Sequence, residues 1–245
     1  MKRLLILLAL SISVVHAGTI SIAVAANVSY AIQDLKKEFN KTHPETKVRI
    51  TLGSSGKLTA QIKHGAPYQL FMSANMKYPK ALYQEKIAIK APKVYALGSL
   101  AILSNKKRDL SDGIYILKNK KISKIAIANP KTAPYGIAAF EALANAKIKN
   151  EIKSKFVYGE SISQTVSYTV TAADIGIIAK SSLYSKNMSK YKKNINWVAV
   201  DPKLYTPIKQ GIVMLEEDKE VKAFYDFILS EDAKKIFKNY GYLLP

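Results

Sequence analysis

The stretch Val48-Arg49-Ile50-Thr51-Leu52-Gly53-Ser54-Ser55-Gly56-Lys57-Leu58-Thr59-Ala60-Gln61-Ile62 decides how this chain folds. Its first five residues alternate apolar and polar side chains, the period of a half-buried strand. Leu58 and Ile62 stand four apart, as on the buried face of a helix. Between strand and helix lies a small, hydroxyl-rich turn. Such a junction aims unpaired backbone N–H groups, at the positive end of the helix dipole, into the space beyond the strand's carboxyl end. The same junction recurs at Ala25-Ala26-Asn27-Val28-Ser29, at Asn129-Pro130-Lys131-Thr132-Ala133-Pro134-Tyr135-Gly136 and at Gly159-Glu160-Ser161-Ile162-Ser163. Singly, each is also what an ordinary N-cap and turn looks like. Four in one chain point to convergence on a single anion.

The flanking sequence fits this pattern. Ile20, Ile22 and Val24 alternate as a strand, and Val28, Ala31, Ile32, Leu35 and Phe39 follow helical spacing until His43-Pro44. Leu70-Phe71-Met72 reads as a short buried strand and about 76–84 as a helix. An extended apolar stretch covers 94–103. The alternation then restarts: strand 125–128, a helix opened by Pro134, strand 156–158, helix 162–171 and strand 175–178. Residues 197–200 and 208–215 read as extended, and two helices close the chain. Strands alternating with helices imply α/β architecture, with mostly parallel sheets covered on both faces. The restart near residue 100 implies two lobes, with the extended segments near 94–103 and 205–215 as crossings between them.

The N-terminus reads as an export signal: basic Lys2 and Arg3, an apolar run from Leu4 to Val15, and small residues around a cleavage expected after Ala17. There is no cysteine, which removes disulfides, thiol catalysis, Cys-ligated metal and a lipid anchor on cysteine. The expected location is the periplasm. Lys and Arg number 38 against 18 Asp and Glu, but Arg3, Arg49 and Arg108 are the only arginines. Nucleic-acid readers favour the bidentate arginine fork, whereas these lysines are scattered. A solvated basic surface, not a nucleic-acid site, is the simpler reading, and its field would speed the arrival of a small anion.

Other chemistries fail on spacing. Gly53-Ser54-Ser55-Gly56-Lys57-Leu58 is not a nucleotide phosphate loop: Thr51 replaces the first glycine and Leu58 the metal-binding hydroxyl. No Gly-x-Ser-x-Gly elbow exists, and beyond the signal segment only His43 and His64 could act as histidine bases. No catalytic residue and no direct metal-cation ligand is assigned. Tyr135 serves either packing or ligand contact. Glu160 either caps its own helix or accepts a proton from a protonated anion, with capping the simpler role, and Asp174 reads as a turn residue.

At these junctions the chain resembles the periplasmic molybdate-binding proteins of molybdenum ABC transporters, a class II periplasmic binding protein family. The resemblance rests on Ala25-Ala26-Asn27, Gly53-Ser54-Ser55-Gly56-Lys57-Leu58, Gln61-Ile62, Gly65-Ala66-Pro67, Ser73-Ala74-Asn75, Asn129-Pro130, Ala133-Pro134-Tyr135-Gly136, Gly159-Glu160-Ser161-Ile162-Ser163-Gln164-Thr165, Ala173-Asp174-Ile175-Gly176 and Tyr205-Thr206-Pro207-Ile208. They are ordered as in the family and span nearly the whole chain after the signal segment. The resemblance implies a two-lobed binding protein, each lobe a three-layer α/β/α sandwich, with 18–98 plus 206–245 as lobe I and 99–205 as lobe II. It implies an oxyanion held by Ala26, Asn27, Ser54 and Ser55 from lobe I and by Tyr135 and Ile162 from lobe II, the last two through backbone amides. Many relatives carry serine where Asn27 stands. Some add a tyrosine just after the Ile-Gly-Ile strand; Ala179 occupies that position here, so that contact is expected to be missing. All these donors are neutral, which suits an unprotonated dianion. The implied function is capture of molybdate, and of tungstate, for an ABC transporter permease by a monomer without a cofactor. A sulfate-type or other oxyanion receptor and an exported enzyme are the alternatives.

Overall fold

The computed structural model describes residues 18–245, so the expected signal segment 1–17 lies outside the described residues. β1 (Thr19–Ala25) runs into a 3-10 turn (Ala26–Tyr30) and α1 (Ile32–Phe39). β2 (Lys47–Gly53) runs into α2 (Ser55–Lys63), and β3 (Leu70–Ser73) leads to α3 (Lys77–Gln84) and β4 (Lys93–Gly98). Ser99 alone separates β4 from β5 (Leu100–Leu103), yet the two strands lie in different sheets. The chain then forms β6 (Ile125–Ala128), α4 (Pro134–Asn145), α5 (Lys149–Ile152), β7 (Phe156–Gly159), α6 (Ile162–Thr171), β8 (Ile175–Ala179) and β9 (Trp197–Ala199). It returns as β10 (Ile208–Met214) and ends with α7 (Lys219–Ile228) and α8 (Glu231–Asn239).

The two five-stranded sheets have the orders β2-β1-β3-β10-β4 and β7-β6-β8-β5-β9. Both are mixed, and in the same way. β10 is antiparallel to both of its neighbours in the first sheet, and β5 to both of its neighbours in the second. The other four strands of each sheet share one direction. The reversed strand is in each case the one that arrives directly from the other lobe, so reversal is the consequence of the crossing.

Helices cover both faces of each sheet. One face of the first sheet packs Ile20, Ile22 and Val24 against Leu35, Phe39, Phe224, Ile228 and Phe237 of α1, α7 and α8. Its other face packs Ala23, Phe71 and Val213 against Leu58, Ile62 and Leu82 of α2 and α3. In the second sheet α4 covers one face and α6 the other. Strands buried on both faces read as unbroken apolar runs, as Leu100–Leu103, Ile125–Ala128 and Ile175–Ala179 do. The edge strand β2 instead alternates, with Val48 buried and Lys47 and Arg49 exposed. The C-terminal tail folds back to pair Leu243 with Leu97, which carries Tyr242 into the interior. No described helix is long and apolar enough to cross a membrane.

Candidate anion-binding site

The four junctions meet. Ala26 and Asn27, Ser54 and Ser55, Tyr135, and Ile162 line one small cavity between the sheets, together with Ala74. Each of these residues is at most 5% exposed. Its first wall comes from the 3-10 turn after β1 and the start of α2 after β2. Its second wall comes from the starts of α4 and α6, after β6 and β7.

The sequence explains the helix starts. Ser54 is extended (φ −68°, ψ 145°) and precedes α2. Pro134 opens α4, where its missing N–H would have had no partner, and Tyr135 follows with a free first-turn amide. Ser161 caps α6 by accepting from the Gln164 N–H at 3.2 Å, leaving the Ile162 amide without a helical partner. Ser55 Oγ accepts from the Ala74 N–H at 2.9 Å, so its own hydroxyl proton is available for a ligand. The Ser54 hydroxyl has no partner at all. Buried side-chain polar atoms are nearly always satisfied. Among the described residues four are not, and two of them, Ser54 Oγ and Asn27 Oδ1, belong to this cavity.

No charged side chain lines the cavity. Burial pushes the Tyr135 phenol well above its ordinary pKa, with the neighbouring phenols of Tyr242, Tyr95 and Tyr205 adding to the shift, so it stays neutral. The arrangement is a set of neutral donors at helix N-termini, suited to an anion that carries no proton.

Glu160 neither caps its helix nor faces the cavity. Ser161 is the cap, and the exposed Glu160 carboxylate accepts from Lys57 Nζ of α2 at 2.9 Å, across the mouth of the cleft. Lys131 is exposed and outside the lining. Asp174 pins a turn by accepting from the Ser123 and Lys124 amides. Ala179 ends β8 and does not line the cavity. His43 stacks on Phe39, and His64 Nδ1 lies 2.7 Å from the Ala60 carbonyl oxygen at the far end of α2. No cluster of three His, Cys, Asp or Glu occurs among the described residues.

The two walls touch directly. The Gly56 N–H donates to Thr132 O at 2.9 Å, and Ser163 Oγ donates to Ala26 O at 2.7 Å. This is a closed arrangement. The Lys57–Glu160 pair is a minor part of it, because exposed ion pairs contribute about 1 kcal/mol or less. Lys57→Gln should therefore weaken ligand affinity by less than about fivefold, and less still at high salt. Calorimetry at two salt concentrations checks this.

Beneath the cavity lies a buried polar layer that the sequence did not reveal. Gln210 Oε1 accepts from Asn27 Nδ2 at 2.7 Å and from the Tyr95 hydroxyl at 2.9 Å, while Gln210 Nε2 donates to Tyr135 Oη at 3.4 Å. Tyr242 Oη donates to Asn27 O at 2.8 Å and accepts from Asn27 Nδ2 at 3.0 Å. A lone amide in the strand Ile208–Met214, whose only charged residue is Lys209, was the available signal for Gln210. Burial pushes Tyr242 up to about 12. Above pH 10 the unfolded chain gives up this proton and the folded chain keeps it. Stability is thus full below about pH 10 and falls as pH rises toward 12, by about 3 kcal/mol from this residue. Urea unfolding at pH 8, 10 and 11.5 should show the fall, and Tyr242→Phe should remove part of it.

Residues 20–243 match the family model described as bacterial extracellular solute-binding protein. The chain belongs to this solute-binding protein family. Among its relatives, the molybdate-binding protein ModA of Azotobacter vinelandii is 34% identical over 232 residues, covering 93% of this chain and 90% of the relative. ModA of Rhodobacter capsulatus is also 34% identical over 232 residues, covering 93% and 89%. The solved Azotobacter vinelandii periplasmic molybdate-binding protein superposes with a TM-score of 0.84 at 29% identity, covering 92% of this chain and 99% of that one. The match confirms the two-lobed binding-protein fold.

Proposed function

We propose that this chain captures molybdate, with tungstate close behind, in the cavity between its lobes and delivers it to the membrane permease of an ABC transporter. One observation carries the reading: four helix starts and two serine hydroxyls, all neutral, converge on one buried cavity in which the Ser54 hydroxyl has no protein acceptor. An unprotonated tetrahedral dianion accepts every one of those hydrogen bonds and asks for no acceptor in return. The names of the molybdate-binding relatives agree with that chemistry. Asn27 and Ser55 act from a lobe of residues 18–98 plus 206–245, and Tyr135 and Ile162 from a lobe of 99–205. The ligand touches both and holds the hinge closed. The protein works as a monomer in the periplasm, after removal of residues 1–17, and needs no covalent chemistry.

Calorimetric titration of the purified protein tests this. The expected result is one tight site for molybdate, a similar one for tungstate, and much weaker binding of the smaller sulfate ion. Tight sulfate binding with silent molybdate would replace the reading with a sulfate receptor.

A further inference from the structure

Gln210 is fully buried on β10, next to a register shift between Gln210 and Gly211 that re-aims the strand. Both protons of the Asn27 side-chain amide are committed beneath the cavity, one to Gln210 Oε1 and one to Tyr242 Oη. That leaves Asn27 Oδ1, a pure acceptor, buried without a partner in a residue that lines the cavity. An acceptor there repels an oxyanion. A second network is available to the same groups. If both amides turn over, Gln210 Nε2 donates to Asn27 Oδ1 and to Tyr95 Oη, whose hydroxyl already lies within 3.4 Å of Ser73 O and can donate there. Gln210 Oε1 then accepts from the Tyr135 hydroxyl. Asn27 Oδ1 is satisfied by Gln210, Tyr242 Oη keeps its bond to Asn27 O while losing the one from Asn27 Nδ2, and Asn27 Nδ2 takes the orphan's place as a donor to the ligand.

We propose that Gln210 is the positioning residue of the site: it sets the orientation of the Asn27 amide, and oxyanion binding turns the two amides over together. The inference rests on the oxyanion reading above. It makes Asn27 a conditional donor, available only when Gln210 can donate as well as accept. Because Tyr135 belongs to the opposite lobe, the exchange also ties ligand arrival in one wall to a hydrogen bond with the other.

The decisive variant is Gln210→Glu. Ionised, the introduced carboxylate only accepts, so it locks Asn27 Nδ2 away from the cavity. Protonated, its hydroxyl restores a donor. The titratable groups that face position 210 are the phenols of Tyr95, Tyr135 and Tyr242. All three are shifted upward, so between pH 5 and 9 only the introduced carboxyl titrates. Molybdate affinity of Gln210→Glu should be weaker than wild type by about tenfold or more at pH 8, as expected for losing a hydrogen bond to a charged group. It should recover toward wild type near pH 5, while the wild-type profile stays flat. Equal affinity of variant and wild type at both pH values overturns the proposal. Wild-type silence toward molybdate and sulfate alike removes the oxyanion reading itself, and the switch with it. If Gln210→Glu does not fold, nitrogen-15 spectra of the wild type decide instead. Molybdate should move the side-chain amide signals of both Asn27 and Gln210, the latter assigned by its loss in Gln210→Met; unmoved signals overturn the switch.

Discussion

Gly56→Val should abolish tight anion binding without unfolding the protein. A Cβ at position 56 would lie 2.9 Å from Thr132 O and 3.0 Å from Thr132 Cα, closer than packed atoms tolerate. Its other close neighbour, Tyr78 Oη at 2.8 Å, is the tip of a side chain that can swing away. Gly56 belongs to α2 on the first lobe and Thr132 to the turn before α4 on the second, so the clash is with the opposite lobe's backbone. The lobes can relieve it only by separating, which breaks the Gly56 N–H to Thr132 O bond and pulls the Tyr135 and Ile162 amides from the ligand. A closed state penalised by about 3 kcal/mol loses about a hundredfold in apparent affinity. Titration measures the loss, and small-angle scattering should show the variant remaining extended at saturating wild-type ligand concentrations. Wild-type affinity in Gly56→Val would mean that closure does not bring these two backbones together.

Gly136→Ala should cost stability as well as affinity, because here the conflict lies within one lobe. The added Cβ would sit 2.2 Å from Ala128 O and 2.8 Å from Ala128 C, at the end of β6. Both neighbours are strand backbone and cannot rotate out of the way. The start of α4 rests on the strand end at this glycine, and that contact places the Tyr135 amide at the cavity. Overpacking of a rigid site costs about 3 kcal/mol. The expected outcome is a clear fall in the denaturation midpoint together with weakened ligand binding. A variant with unchanged midpoint and unchanged affinity would show that α4 does not need this close approach.

Much of the fold was legible because the chain repeats one local rule. Each apolar strand ends in a small polar turn, so β1, β2, β6 and β7 and the helices that follow them could be read from residue period and caps alone. The helix at Ile162–Thr171 coincides with its sequence expectation. The first junction was less regular: Val28 follows the helical spacing, yet the backbone takes a 3-10 turn over Ala26–Tyr30 before α1 begins. The break at Ser99, which sends β4 and β5 into different sheets, was foreseen as a crossing but not as a single residue. The six residues expected at the oxyanion do surround one cavity, because helix starts are local features. What escaped was non-local. Ala74 meets Ser55 only because β3 lies beside β1. Tyr242 and Gln210 reach Asn27 across separations of 215 and 183 residues. The role of Glu160 was misread for the same reason: its partner Lys57 stands on the other lobe.

Tungstate offers the most direct test of where the ligand sits, because tungsten scatters strongly enough to mark its own position. Crystals of the protein grown with tungstate should show one dominant anomalous peak inside the cavity, within hydrogen-bonding reach of the Ser54 and Ser55 hydroxyls and the amides of Asn27, Tyr135 and Ile162. A dominant peak among the surface lysines, with none between the two sheets, would contradict binding at the four helix starts.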